Sequence, residues 1–335
     1  MALPQRTHRA LPHVIQARPS SEPERQRGAP CAPTARKKDP AAPRARRGSD
    51  AARPTRCRAG LPGITLRGMS RPILPAWSAL RPVVGMLHLP PLPGAPRCAA
   101  TMPAIIDRVL RDADALLTGG VHGLMLENFC DTPFYPGPVP PIVIASMTTI
   151  AAAVRRRFDA PLGINVLRND GRAALAIAHA VGAAMIRVNV LCGARLTDQG
   201  IVAGQAHEIL RERAALGATS VRILADVAVK HSTALGAPRA IELDVEDTLE
   251  RGGADAVIVT GSGTGRPTDI EQVRRAKAAA GEAPVLVGSG ITASTVEHFL
   301  SWADGFIVGT AFKTGGVPAN PVEVERVRAL MARLK

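Results

Sequence analysis

From Val83 to the C-terminus, short runs of consecutive apolar residues alternate with longer stretches in which apolar positions recur every three to four residues. The short runs predict strands buried on both faces, and the longer stretches predict amphipathic helices. Val83–His88 is the first strand. Met102–Leu117 follows as a helix, with Ile105, Ile106, Val109, Leu110, Ala113 and Leu116 on one stripe and Asp107, Arg108, Arg111, Asp112 and Asp114 opposite. Next come strand His122–Leu126, a long loop and a helix over Pro141–Arg157, then strand Leu162–Leu167 and helix Arg172–Val181. Strand Met185–Val190 leads to a helix near Gly204–Leu216, and strand Val221–Val227 to helix Ala240–Arg251. The apolar runs Ala256–Val259, Val285–Val287 and Phe306–Val308 complete the series, with helices near Asp269–Ala280 and Ala293–Leu300 between them. A final helix is expected with Asn320 as N-cap, Pro321 in the first turn and Glu323 reaching back, running to Leu334.

Eight strand–helix units in sequence favour a closed parallel (β/α)8 TIM barrel. A doubly wound sheet normally needs fewer units and carries a dinucleotide loop after its first strand, which this chain lacks. In such a barrel, chemistry sits at the C-terminal ends of the strands and in the loops that follow. The last three strands run at once into glycine: Gly261, Gly263, Thr264 and Gly265 after the sixth, Gly288, Ser289 and Gly290 after the seventh, Gly309 and Thr310 after the eighth. Glycine lets backbone N–H groups approach a ligand closely, and a following helix N-terminus adds positive dipole. Three such loops at matched positions point to an anion site; the alternative is tight strand-to-helix turns.

The other strand ends carry polar side chains: Glu127, Asn165, Asp170, Arg187, Asn189, Asp226, Lys230 and His231, with His88 after the first strand. Period-two alternation turns Ile186, Val188 and Val190 toward the helices, so Arg187 and Asn189 point into the barrel, as do Asn165 and Asp226. A buried Arg requires an anionic partner, and Glu127, Asp170, Asp226 or a ligand phosphate qualify. Each single member of this ring is explained equally well by an internal ion-pair network. His88 and His231 either orient neighbours by hydrogen bonds or transfer protons, and Lys230 is a phosphate clamp, a desolvated base or an exposed loop residue. Lys313 reads as a phosphate contact or a surface residue. No spacing identifies a metal site, and no cofactor is identified.

Composition sharpens this picture mainly by division. The chain has 335 residues and a net charge of +14, but residues 1–68 hold 15 Lys+Arg against 4 Asp+Glu and ten prolines, which leaves the remainder at +3. That extension lacks apolar periodicity and is expected to be disordered. It is either a basic arm, a targeting peptide, or sequence preceding a true start at Met69. The barrel, 69–335, carries too little charge and too few aromatics for nucleic-acid binding, and no G-x-x-x-x-G-K-[ST] loop is present. Five separated cysteines without a C-x-x-C pair fit reduced thiols in the cytoplasm. The uncharged run Thr132–Val154 has an apolar part too short to span a bilayer.

Several stretches resemble the BtpA/SgcQ family: Val84-Gly85-Met86-Leu87-His88-Leu89-Pro90-Pro91-Leu92-Pro93-Gly94, Glu127-Asn128-Phe129-Cys130-Asp131-Thr132-Pro133-Phe134 and Gly163–Asp170. So do Ile186–Asn189, Ala225–His231, Gly261–Gly265 and Val287–Gly290, in order over about Pro82 to Leu334. Cys130 stands where the family is expected to use glycine. The resemblance implies a barrel related to those that bind ribulose phosphates, with some members in sugar metabolism. It also implies a role in photosystem I accumulation in cyanobacteria, peripheral to the membrane. Two expectations follow. One is an enzyme acting on a small phosphorylated substrate as an isomerase, aldolase or lyase, with Glu127 or Asp226 as acid/base. The other is a non-catalytic peripheral factor for photosystem I biogenesis. A homo-oligomer is compatible with either.

Overall fold

A computed structural model describes residues 71–334 apart from Ala79 and Ser262. The extension 1–68 and the alternative start at Met69 lie outside the described residues. The strands in chain order are β1 (Val83–His88), β2 (Gly123–Glu127), β3 (Leu162–Asn165), β4 (Met185–Val188), β5 (Ala194–Thr197), β6 (Gly200–Ala203), β7 (Arg222–Val227), β8 (Ser232–Ala234), β9 (Ala256–Val259), β10 (Val285–Val287) and β11 (Gly305–Val308). The helices are α1 (Met102–Thr118), α2 (Pro141–Arg157), α3 (Gly171–Val181), α4 (Ala206–Ala215), α5 (Ile241–Glu246), α6 (Ile270–Ala279) and α7 (Val324–Met331). Eight strands close into a parallel barrel in the order β1-β11-β10-β9-β7-β4-β3-β2. The fold is the expected (β/α)8 barrel.

Side-chain alternation divides the core in two. Val83, Leu87, Leu124, Leu126, Ile164, Ile186, Val257 and Phe306 face the helices and join the larger apolar cluster. Val84, Met86, Met125, Met185, Leu224, Ile258, Leu286 and Ile307 fill the barrel, and Ile73, Leu74 and Trp77 join them. Trp77 packs against Gly123 at the N-terminal end of β2, where a Cβ would lie 2.9 Å from its ring. Sequence also sets the helix ends. Asp170 caps α3 by accepting from the Ala173 N–H, and Gly182 closes that helix at φ 65°.

The elements depart from expectation at four places. The loop after β4 forms a hairpin, β5–β6, and the loop after β7 contributes β8, which pairs with β5 in a three-stranded antiparallel sheet. In place of a helix over Ala293–Leu300, one 3-10 turn spans Val296–Phe299. The expected helix Ala240–Arg251 divides into α5 and a π-helical turn, Asp247–Arg251. Asn320 does not cap the last helix: α7 begins at Val324, and the Asn320 amide donates to the Thr314 carbonyl. No helix among the described residues is long and apolar enough to cross a membrane.

Candidate active site

The inward positions at the strand ends carry His88 on β1, Glu127 on β2, Asn165 on β3 and Arg187 on β4. Strand register places His88 beside Glu127 and Glu127 beside Asn165. Asp226 at the end of β7 binds the Arg187 guanidinium twice, Nε to Oδ1 and Nη2 to Oδ2, both at 2.9 Å. Asn189 donates to Asp226 Oδ2, and Asn165 donates to Asn189 Oδ1 and to the Arg187 carbonyl. Both members of the ion pair are essentially removed from water. Burial opposes the Arg187 charge, but Asp226 more than offsets it, so the guanidinium is held above its usual range. Asp226 is the partner that the buried Arg requires.

In the polar ring Asn165 Oδ1 is buried without a partner among the described residues, and a second set of groups opens onto a cavity. His88 Nδ1 lies 3.2 Å from the Pro318 carbonyl, which only accepts, so Nδ1 carries the proton and Nε2 presents a lone pair. Burial, reinforced by Lys313, holds the imidazole pKa down to about 3. Its 3.8 Å approach to Glu127 Oε1 is therefore no ion pair but a meeting of two acceptors. The Glu127 carboxylate is buried and accepts no hydrogen bond from a described residue. Lys230 Nζ likewise has no hydrogen-bonded or ion-paired partner among the described residues, and burial, then the Arg187 charge, lowers its pKa.

The backbone presents Lys230 firmly. Its N–H donates to Thr260 Oγ1 and its carbonyl accepts from Arg168 Nη2. Ala228 at φ 50° and His231 at φ 55° are the non-glycine residues with positive φ among the described residues, and they flank it. Such conformations are costly for residues with a Cβ and persist where surrounding contacts impose them. The same comparison settles Cys130, which sits in its turn without left-handed backbone.

Opposite these groups stand the glycine loops. Together they enclose a cavity of about 480 Å³, lined by His88, Glu127, Arg187, Lys230, Thr264, Gly265, Gly288–Ser294 and Gly309–Ala311. Packing alone demands some of the glycines. A Cβ at Gly288 would meet Ile258 at 2.5 Å and approach Arg187 Nη2 at 3.6 Å; one at Gly309 would meet the His88 ring at 2.8 Å. At Gly261 and Gly290 it would strike the Arg266 carbonyl. The N–H groups of Gly261, Thr264 and Gly288 are engaged with Ser289 Oγ, His231 Nε2 and the Val259 carbonyl. Of the expected glycine-loop residues, Gly265, Ser289, Gly290, Gly309 and Thr310 line the cavity without an N–H so engaged, while Gly261 and Gly263 lie outside it. Only the β9 loop leads into an α-helix; 3-10 turns follow β10 and β11, so a helix dipole does not serve those two loops.

The sequence model of the BtpA family matches residues 79–335. The chain belongs to the BtpA family. The Photosystem I biogenesis protein BtpA of Synechocystis sp. is 44% identical over 250 residues, covering 75% of this chain and 86% of that protein. The uncharacterized protein TK2179 of Thermococcus kodakarensis is 44% identical over 255 residues, covering 76% and 95%. Among solved structures, KGPDC from Streptococcus mutans is similar at a TM-score of 0.48 and 14% identity, over 76% of this chain and 96% of that one.

On this BtpA-family barrel the remaining candidate residues take other positions. Asp170 accepts from the backbone N–H groups of Val139 and Ala173, one per oxygen, so it fixes a loop and a helix start. His231 Nε2 binds the N–H and hydroxyl of Thr264, clasping the β7 and β9 loops together. Lys313 is neither surface nor phosphate contact: it is buried and paired with Asp112 at 2.8 Å. Asp112 is itself buried, because the segment through Val322 covers that part of α1 and donates its N–H to the carboxylate. Thr260 and Arg168, beyond the ends of β9 and β3 in sequence, hold the Lys230 backbone rather than face the cavity. Among the described residues no group of three His, Cys, Asp or Glu side chains could hold a metal ion.

Proposed function

We propose that the chain is an enzyme that binds a small phosphorylated substrate at the C-terminal mouth of the barrel and performs acid/base chemistry there. One observation carries the reading. Glu127, His88 Nε2 and Lys230 Nζ have no hydrogen-bond partner among the described residues and line one cavity with the glycine loops, where a polar ligand would meet them. A substrate hydroxyl would donate between the two acceptors His88 and Glu127. Glu127 transfers the proton, Arg187 and Lys230 face the negative charge that develops, and backbone N–H groups around Gly290 and Gly309 receive the phosphate.

The test is thermal unfolding with a panel of phosphorylated metabolites and their dephosphorylated counterparts. A ligand at about a hundred times its Kd stabilises by about 2.7 kcal/mol, a rise of about 5–10 °C for a barrel of this size. The reading fails if no phosphorylated compound raises Tm and crystals soaked in sulfate hold no anion at these loops.

The name of the Synechocystis relative favours a second reading, a peripheral non-catalytic factor for photosystem I biogenesis. Complementation of a Synechocystis strain lacking that relative separates the two. Rescue by Glu127→Gln equal to rescue by the wild-type chain supports the second reading, and loss of rescue with unchanged protein level supports the first.

A further inference from the structure

The chain uses lysine sparingly. Of its 42 Lys and Arg residues, six are Lys, and three of those, Lys230, Lys277 and Lys313, fall among the described residues. Among the described residues the exposed cations are arginines. Lys277 pairs with Asp304 at 2.6 Å and Lys313 with Asp112 at 2.8 Å. Lys230 therefore stands apart as an amine in the substrate cavity that serves no ion pair. An arginine in its place would supply the same positive charge with a planar, hydrogen-bonding head. What arginine cannot supply is a nitrogen lone pair.

The surroundings are those of a nucleophilic amine. Thr260 and Arg168 fix the backbone of Lys230 from both sides, so its side chain has a defined origin. Burial and the adjacent Arg187 charge favour its neutral form. Glu127, across the same cavity, is a carboxylate free to move protons. The geometry points to Lys230 as a covalent catalytic residue that forms an iminium with the carbonyl carbon of a small phosphorylated aldehyde or ketone. This deepens the proposed function and rests on its reading of the cavity as the substrate site.

The step balances without a further reactant. The Nζ lone pair forms the C–N bond while the carbonyl π pair moves to oxygen, giving a carbinolamine. The oxygen then leaves as water as the C=N bond forms. Counted from the ammonium, one of its three protons stays on the iminium and two depart in the water. Charge is unchanged at +1. Glu127 relays the proton that the oxygen needs in order to leave. The iminium then draws electrons from the adjacent carbon, whose proton or carbon substituent Glu127 and His88 face.

Borohydride trapping tests this on the full chain. The protein is incubated with dihydroxyacetone phosphate or glyceraldehyde 3-phosphate, and in parallel with dihydroxyacetone or glyceraldehyde. It is then reduced and mapped by peptide mass spectrometry. Lys230 lines the cavity that would hold the carbonyl, and burial with the Arg187 charge lowers its pKa, so a secondary amine should form at Lys230 and only at background level at Lys277. Lys230→Arg keeps the charge and should abolish the adduct while retaining the Tm rise with phosphorylated ligand. Lys277→Arg should leave the labelling unchanged.

Labelling that does not favour Lys230 over Lys277, or no labelling at all, overturns the inference. If phosphorylated compounds still raise Tm in that case, the proposed function stands without it. Equal trapping of the phosphorylated and unphosphorylated carbonyls, with no Tm rise, leaves the iminium standing and removes the phosphate. Should Lys230→Arg melt far below the wild type, Lys230→Met replaces it, read only for loss of the adduct at a matched folded fraction.

Discussion

At Arg187 and Asp226 two charges leave water and are matched by two hydrogen bonds of 2.9 Å, with Asn189 on a remaining lone pair. Breaking such a pair leaves an uncompensated buried charge, so Asp226→Ala should cost about 3–5 kcal/mol in denaturant unfolding. Glu271→Ala, which removes a solvent-exposed pair with Arg274, should leave the unfolding midpoint at the wild-type value. His88 gives a pH signature. Its folded pKa, about 3, lies below the ordinary imidazole value of 6.5, so below pH 6.5 the unfolded chain binds the extra proton. Stability is then full above pH 6.5 and falls toward pH 3, by at most about 1.4 kcal/mol per unit. His88→Gln should flatten that slope in Tm measured from pH 7 to pH 4. Strand parity exposed Arg187, Asn189, Asn165 and Asp226 as inward because, within each strand, the direction of one residue fixes that of the rest. Lys313 was illegible because its partner lies 201 residues away on a helix face that looks solvent-exposed in sequence.

At the level of elements, the loops after β4 and β7 are sewn into one small sheet. Arg195 Nε donates to Ser232 Oγ across it, and β8 begins two residues after Lys230. The sheet anchors the lysine's loop from above as Thr260 and Arg168 anchor it from below. Ala194 and Ala203 are paired across the hairpin, so a Gly-Gly bridge can replace Arg195–Val202. The shortened chain should still unfold cooperatively, with borohydride labelling of Lys230 reduced to the level of Lys277. The hairpin was missed because its four-residue strands are half-exposed; Leu196 and Ile201 pair with each other in solvent rather than in a core. Its one local cue was Asp198-Gln199-Gly200, with glycine at φ 93° where the turn ends. The helix expected after β10 failed for the opposite reason. Apolar residues were present at Ile291, Val296 and Phe299, but a run of Thr and Ser closes local turns through Thr292 and Thr295 instead.

For the whole molecule, eight repeats were countable because each barrel strand is buried on both faces and reads as an unbroken apolar run. The interior is closed below by Trp77 and its neighbours. Trp77→Ala should cost about 3–5 kcal/mol, and Gly123→Ala should also destabilise, since its Cβ would meet both the indole ring and the Pro161 carbonyl. Equilibrium unfolding of both variants, followed by circular dichroism, checks this; stability equal to wild type would mean the plug carries no weight. The upper face is set by Arg187, which leaves β4, is locked by Asp226 and reaches Gly288 beyond β10. That crossbar fixes how deep a guest can sink. A ligand in the proposed site would stand on the guanidinium between the glycine wall and Glu127. In the proposed site its length would grow only outward, so selection among substrates should be strict at the end that is buried and tolerant at the end that emerges.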